Sequence, residues 1–186
     1  MKLYIKNMVC NRCILVVGQV LDNLELNPIT ITMGEVEFAS PLSEAHVQIL
    51  SRNLLELGFE LLDTKGQKQI EKIKNVLIQK VQHGEIEEHF GLSDFLMKAL
   101  NKEYTQLSRL FSEVEGTTIE QFFILQKIEK VKEWLVYDEL TLSEIAWKLG
   151  YSSVAHLSSQ FKKVTGLTPS HFKTFGGKNR KPLDKI

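Results

Sequence analysis

The chain has 186 residues, 43% hydrophobic and 25% charged, and its 23 basic and 23 acidic side chains cancel to a formal charge of zero. That is ordinary globular composition, which excludes a disordered chain, a collagen and a long coiled coil. The balanced charge excludes a uniformly basic nucleic-acid coat and leaves room for a local basic patch. No apolar run approaches the ~20 residues of a membrane span, the longest being Cys13 to Gly18. The opening MKLYIK has no signal-peptide core, so a cytoplasmic protein is expected.

In chain order, short β-branched runs first alternate with helical patterns. LYI near residue 4, ITIT at 29–32, VEF at 36–38 and FELLD at 59–63 read as strands. Residues 11–25 and 43–57 read as helices, the second opened by Ser43 as N-cap. Met33-Gly34 turns a hairpin between the second and third strands. The order βαββαβ fits a small ferredoxin-like α+β domain over residues 1–63. The polar stretch at 64–69 reads as a linker.

From residue 70 onward the period is helical. Ile70, Ile73, Leu77 and Val81 form one stripe, and Leu125, Ile128, Val131 and Leu135 form another. The expected arrangement is an all-α domain over 70–175 and a flexible basic tail over 176–186. Net charge shifts along the chain, from −2 over 1–70 and −4 over 71–140 to +6 over 141–186. A basic end of this kind points to a polyanionic partner.

The all-α region contains a repeat. Shifted by 50 positions, residues 92–123 align with 142–173 without a gap, and ten of the 32 positions are identical. Roughly two are expected by chance on ordinary composition, so duplication is the better reading. In each copy Ser93 or Ser143 caps a short helix. A turn follows, Gly150-Tyr151-Ser152 in the second copy. The next helix then sets Leu107 and Phe111, or Leu157 and Phe161, on one inner face before Gly116 or Gly166 ends it. Two short helices joined by a tight turn make a helix-turn-helix, whose second helix fits the major groove of DNA. A long helix, roughly Ile119 to Tyr137, joins the two copies.

The segment LTLSEIAWKLGYSSVAHLSSQFKKVTGLTPSHFK at 140–173 closely resembles the signature half of the AraC/XylS-type transcriptional regulators. The matching elements are Ile145-Ala146, Leu149-Gly150-Tyr151, Phe161-Lys162-Lys163, Thr165-Gly166 and Thr168-Pro169. The first copy is similar to the family more loosely, and Lys127 stands where the family usually has arginine. The resemblance covers about 70–175 and implies two helix-turn-helix modules that bind double-stranded DNA. Helical spacing turns Leu107, Leu110, Phe111 and Val114 inward on helix 104–114, and Val154, Leu157, Phe161 and Val164 inward on helix 153–164. Thr105, Ser108, Arg109 and Ser112 then face out on the first, and Ala155, His156, Ser159 and Lys163 on the second. These outward positions match those that touch bases or phosphates in the family. Arg109 can donate two hydrogen bonds to one guanine edge. Lys162, Lys163 and Lys173 suit phosphate contacts, which position without specifying.

The other chemistry-bearing feature is Met8-Val9-Cys10-Asn11-Arg12-Cys13, at the start of the first helix. A helix N-terminus and Arg12 favour thiolate at Cys10 and Cys13. With two sulfurs and no nearby histidine, a two-coordinate soft ion such as Cu(I) fits better than closed tetrahedral zinc. A redox pair and a pair of idle thiols are the alternatives. The Met-x-Cys-x-x-Cys motif on a βαββαβ pattern resembles the heavy-metal-associated domain of metallochaperones and metal pumps, with Asn7 where that family usually has glycine. No phosphate loop, nucleophile elbow or HExxH motif is present, and no catalytic residue is expected. The sequence therefore points to a DNA-binding transcriptional regulator, monomer or homodimer. Its amino-terminal domain would sense a soft metal ion, a thiol redox state or a small effector. The rival is a metal-carrier or thiol-redox protein with a helical protein-interaction module.

Overall fold

The computed structural model describes residues 1–62 and 65–175. The chain divides into two compact units, Met1–Asn75 and Val76–Ile186.

In the first unit the elements are β1 (Lys2–Lys6), α1 (Asn11–Asn23), β2 (Thr30–Thr32), β3 (Glu35–Glu37), α2 (Glu44–Glu56) and β4 (Glu60–Leu62), followed by α3 (Lys65–His83), whose residues after Asn75 belong to the second unit. The strands form one antiparallel sheet in the order β2-β3-β1-β4. Strand alternation puts Ile5 and Val36 in the core, with Leu3, Ile31 and Leu61 packed against it. Val17, Leu21, Leu50 and Leu54 of the two helices complete that core. Tyr4 lies on the opposite face, where Lys68 and Lys72 of α3 stand over its ring at 5.4 and 4.8 Å. Ser43 caps α2 by accepting the His46 amide. Met33-Gly34 makes the two-residue hairpin turn in register Thr32↔Glu35. Gly34 has φ 79°, and a Cβ there would sit 2.0 Å from the Asn75 amide nitrogen, so the position takes glycine alone.

The sequence-read linker at 64–69 is corrected at residues 65–69, which form the first turns of α3; Thr64 lies outside the described residues. Gln67, Lys68 and Gln69 are good helix formers, and Gly66 sits where a helix end tolerates it. The division between units falls inside the helix, after Asn75. The tail 176–186 also lies outside the described residues.

The second unit adds α4 (Leu92–Leu100), α5 (Tyr104–Glu115), α6 (Ile119–Tyr137), α7 (Leu142–Lys148), α8 (Val154–Thr165) and α9 (Pro169–Phe175). The repeat is structural as well as sequential. Helix starts recur 50 residues apart, at Leu92/Leu142, Tyr104/Val154 and Ile119/Pro169. Gly116 and Gly166 both end their helices in the left-handed region. Thr118 and Thr168 both accept an amide three residues on, from Gln121 and His171. The ring pairs Phe111–Phe122 and Phe161–Phe172 are 5.6 and 5.5 Å apart, both edge to face. Between the copies α6 is buried around most of its circumference. Gln126, Lys127, Ile128, Glu129, Lys130, Val131 and Lys132 are all buried in succession.

Two sequence expectations fail here. Ser93 and Ser143 are not caps; Gly91 precedes α4, and Thr141 caps α7 in a reciprocal capping box with Glu144. Val114 does not face inward; it is 51% exposed, near the end of α5 two residues before the Gly116 cap.

Candidate nucleic-acid interface

A helix can read a groove only if its outer face is polar and its inner face is fixed. Leu107 and Phe111 fix α5, and Leu157 and Phe161 fix α8, all at 1% exposure or less. On α5, Thr105 and Arg109 are exposed and Ser108 is half-buried. On α8, Ala155, His156, Ser159, Lys162 and Lys163 are all exposed. The structure thus brings the sequence-derived residues onto the outer sides of two equivalent helices. Arg109 is 82% exposed, and its Nε donates to Glu113 Oε1 at 2.8 Å one turn away. That carboxylate holds the guanidinium above its already high range.

His156 is the most constrained of the outward residues. Its amide donates to the Ser153 cap, its Nδ1 lies 3.1 Å from Ser152 Oγ, and its ring meets Tyr151 edge to face at 5.3 Å. Lys162 and Lys163 occupy the last turn of α8, where the helix dipole favours cations. Lys173 pairs with Asp138 in an exposed contact, weak enough to open for a phosphate. One candidate escaped the sequence reading. Gln106 is exposed and stands 50 positions before His156, so the two occupy the same place on equivalent helices. A glutamine there can bond an adenine edge twice. The repeat offset itself was the signal that would have found it.

In the first unit, Cys10 takes the N-cap position of α1 with extended backbone. Its sulfur lies 3.6 Å from that of Cys13, and both thiols are free and half-buried. Burial pushes the Cys13 thiol up from its ordinary value, against the lowering expected from the helix terminus. No group of three or more potential metal-ligating side chains forms among the described residues. The donor set therefore fits a two-coordinate soft ion and not a four-ligand zinc site. Asn7, where the resembling family has glycine, has φ 71°, and its side chain donates to the Gly58 carbonyl at 2.9 Å. Asparagine is among the few residues that tolerate this region.

Comparison with known proteins agrees with the geometry of the second unit. Residues 96–174 match a family described as "Helix-turn-helix domain". The xylose operon regulatory protein of Escherichia coli is 30% identical over 80 residues, 43% of this chain and 20% of its own length. An uncharacterized HTH-type transcriptional regulator of Bacillus subtilis is 24% identical over 124 residues, 67% of this chain and 16% of its own length. This chain therefore spans about a fifth or less of the length of these relatives. The C-terminal domain of AraT, a response regulator from Geobacillus stearothermophilus, superposes with a TM-score of 0.51 at 22% identity, covering 60% of this chain and 88% of that domain. Residues 96–174 of this chain thus match a helix-turn-helix family, and the helical unit shares its fold with the C-terminal domain of AraT.

Proposed function

We propose that the protein is a sequence-specific transcriptional regulator of the AraC/XylS type that binds double-stranded DNA through α5 and α8. The observation that carries this reading is the duplicated helix pair with polar outer faces: Thr105, Gln106 and Arg109 on one helix, His156, Ser159, Lys162 and Lys163 on the other. A helical protein-interaction module would show apolar side chains there, because interface cores are depleted in charge. The relatives named as a xylose operon regulatory protein and an HTH-type transcriptional regulator support the same reading. Selection of bound fragments from random DNA by the purified protein tests it. Enrichment of one motif is expected, and the absence of any sequence preference at low salt overturns it.

The first unit is read as a ferredoxin-like sensor. Its βαββαβ order and antiparallel arrangement β2-β3-β1-β4 support that reading. Cys10 and Cys13 are the residues that would hold a soft ion such as Cu(I), which would tie the two sulfurs together at the start of α1. Thiols must lose their protons to bind, so affinity should rise with pH. Replacing both with serine should abolish Cu(I) uptake and leave far-UV circular dichroism unchanged; copper binding equal to the parent's overturns the assignment.

A further inference from the structure

An aromatic ring links the outer face of α8 to the buried central helix. Lys127 on α6 is 9% exposed, and its ammonium stands 3.8 Å from the centre of the Tyr151 ring. Tyr151 lies in the turn between α7 and α8 and is 5% exposed. Its hydroxyl donates to Gln160 Oε1 of α8 at 2.6 Å, and its ring packs edge to face against His156. The turn has no slack around it. The Tyr151 amide donates to the Ala146 carbonyl at 2.9 Å. At Gly150 (φ 67°) a Cβ would lie 2.5 Å from the Glu87 carbonyl oxygen. The ring therefore touches the central helix on one side and the outward histidine on the other.

We infer that Lys127 is a positioning residue for DNA reading by the second module: its ammonium holds the Tyr151 ring in place, and the ring sets where His156 and α8 point. The inference rests on the DNA-binding function proposed above. A desolvated cation over an aromatic face is among the stronger contacts of this type, and it disappears when the amine loses its proton. Burial lowers the Lys127 ammonium to about 8. The ionisable groups nearby are Tyr151, whose phenol burial pushes well up, and His156 on α8. On the central helix itself, Lys130 pairs with Glu133 and Lys132 with Glu129. Lys127 touches the ring, and because burial lowers its ammonium, the contact should weaken as pH rises from 7 to 9.

The test measures affinity for the duplex that the full-length protein selects, at pH 7 and pH 9. The comparison covers the parent, Lys127→Arg, Lys127→Met and Tyr151→Leu. The parent's affinity should fall about tenfold between the two pH values, the size of one lost contact of this kind. Lys127→Arg keeps its charge throughout and should bind equally at both. Lys127→Met and Tyr151→Leu should bind weakly at both, with the loss of base preference confined to the half of the duplex protected by the second module. A parent with no pH dependence, or a Lys127→Arg protein that falls as the parent does, overturns the inference while leaving sequence-specific binding intact. If Lys127→Met does not fold, the comparison of parent and arginine variant still decides. A parent that selects no sequence at either pH overturns the DNA reading and this inference with it.

Discussion

Arg109 and Glu113 set the discrimination expected of the first module. The guanidinium is free to leave its carboxylate, since an exposed pair one helical turn apart is weak. Replacing it with alanine should lower affinity on the order of tenfold and relax preference at one base pair, read by selection on randomised duplexes. Glu113→Gln should act in the opposite direction and strengthen binding several-fold, because it removes a negative charge beside the phosphates and releases the arginine. Unchanged affinity in both variants would place α5 away from DNA. Asn7 belongs at the same scale. Asn7→Ala should destabilise the first unit by about 1 kcal/mol through its left-handed backbone, with Asn7→Gly close to the parent in thermal unfolding. The outward residues were legible in the sequence because a fixed inner stripe dictates what must face out. Gln106 was missed because Thr105 was read from one helix alone and the 50-residue offset was not applied to the face.

At the scale of the element, the reading succeeded where one periodicity dominated and failed where two signals competed. Strand alternation around Leu3-Tyr4-Ile5 and helical spacing through Ile70, Ile73, Leu77 and Val81 correspond to observed elements. The spacing suggests Ser143 as a cap, but Thr141, two residues before it, takes that place. The reciprocal partner decides, since Glu144 is three residues after Thr141 and its carboxylate accepts the Thr141 amide at 2.7 Å. The boundary between the two units was illegible because the apolar stripe of α3 runs through it without interruption. Helix α6 spans Ile119–Tyr137 as its apolar stripe implies, but the burial of its polar side chains was not legible in that stripe. Gln126 is 1% exposed, and neither atom of its amide meets a protein partner among the described residues. Gln126→Met keeps its volume and removes the unpaired amide. It should therefore stabilise the protein by about 1–2 kcal/mol, seen as a higher urea midpoint at an unchanged slope. A lower midpoint would show that the amide has a partner in solution. The duplicated ring pairs act in the other direction: Phe161→Ala should cost about 3–5 kcal/mol, for a side chain with no exposure at all.

For the molecule as a whole, charge should divide the proposed DNA binding between the two modules. The segment 71–140 carries −4 and 141–186 carries +6. Part of that positive charge lies in the tail beyond the described residues, and Lys173 shares an exposed pair with Asp138. The second reading helix itself carries Lys162 and Lys163, both exposed in its last turn, and Lys148 ends α7 before it. The first module presents Arg109 paired with Glu113, and Glu103 and Glu115 flank it in the sequence. Neutralising phosphates releases counterions, and this term supplies most non-specific affinity and all of its steep salt dependence. The second module should therefore anchor the protein, and the first should mainly discriminate. Changing Lys162 and Lys163 together to alanine should weaken binding to matched and scrambled duplexes alike, and should flatten the slope of log affinity against log salt by about two units. Arg109→Ala should change the ratio between matched and scrambled duplexes more than it changes the slope. The check is a salt titration of each variant on both duplexes. Equal slopes for the parent and the double lysine variant would place the phosphate contacts elsewhere, and the tail would be the next segment to neutralise.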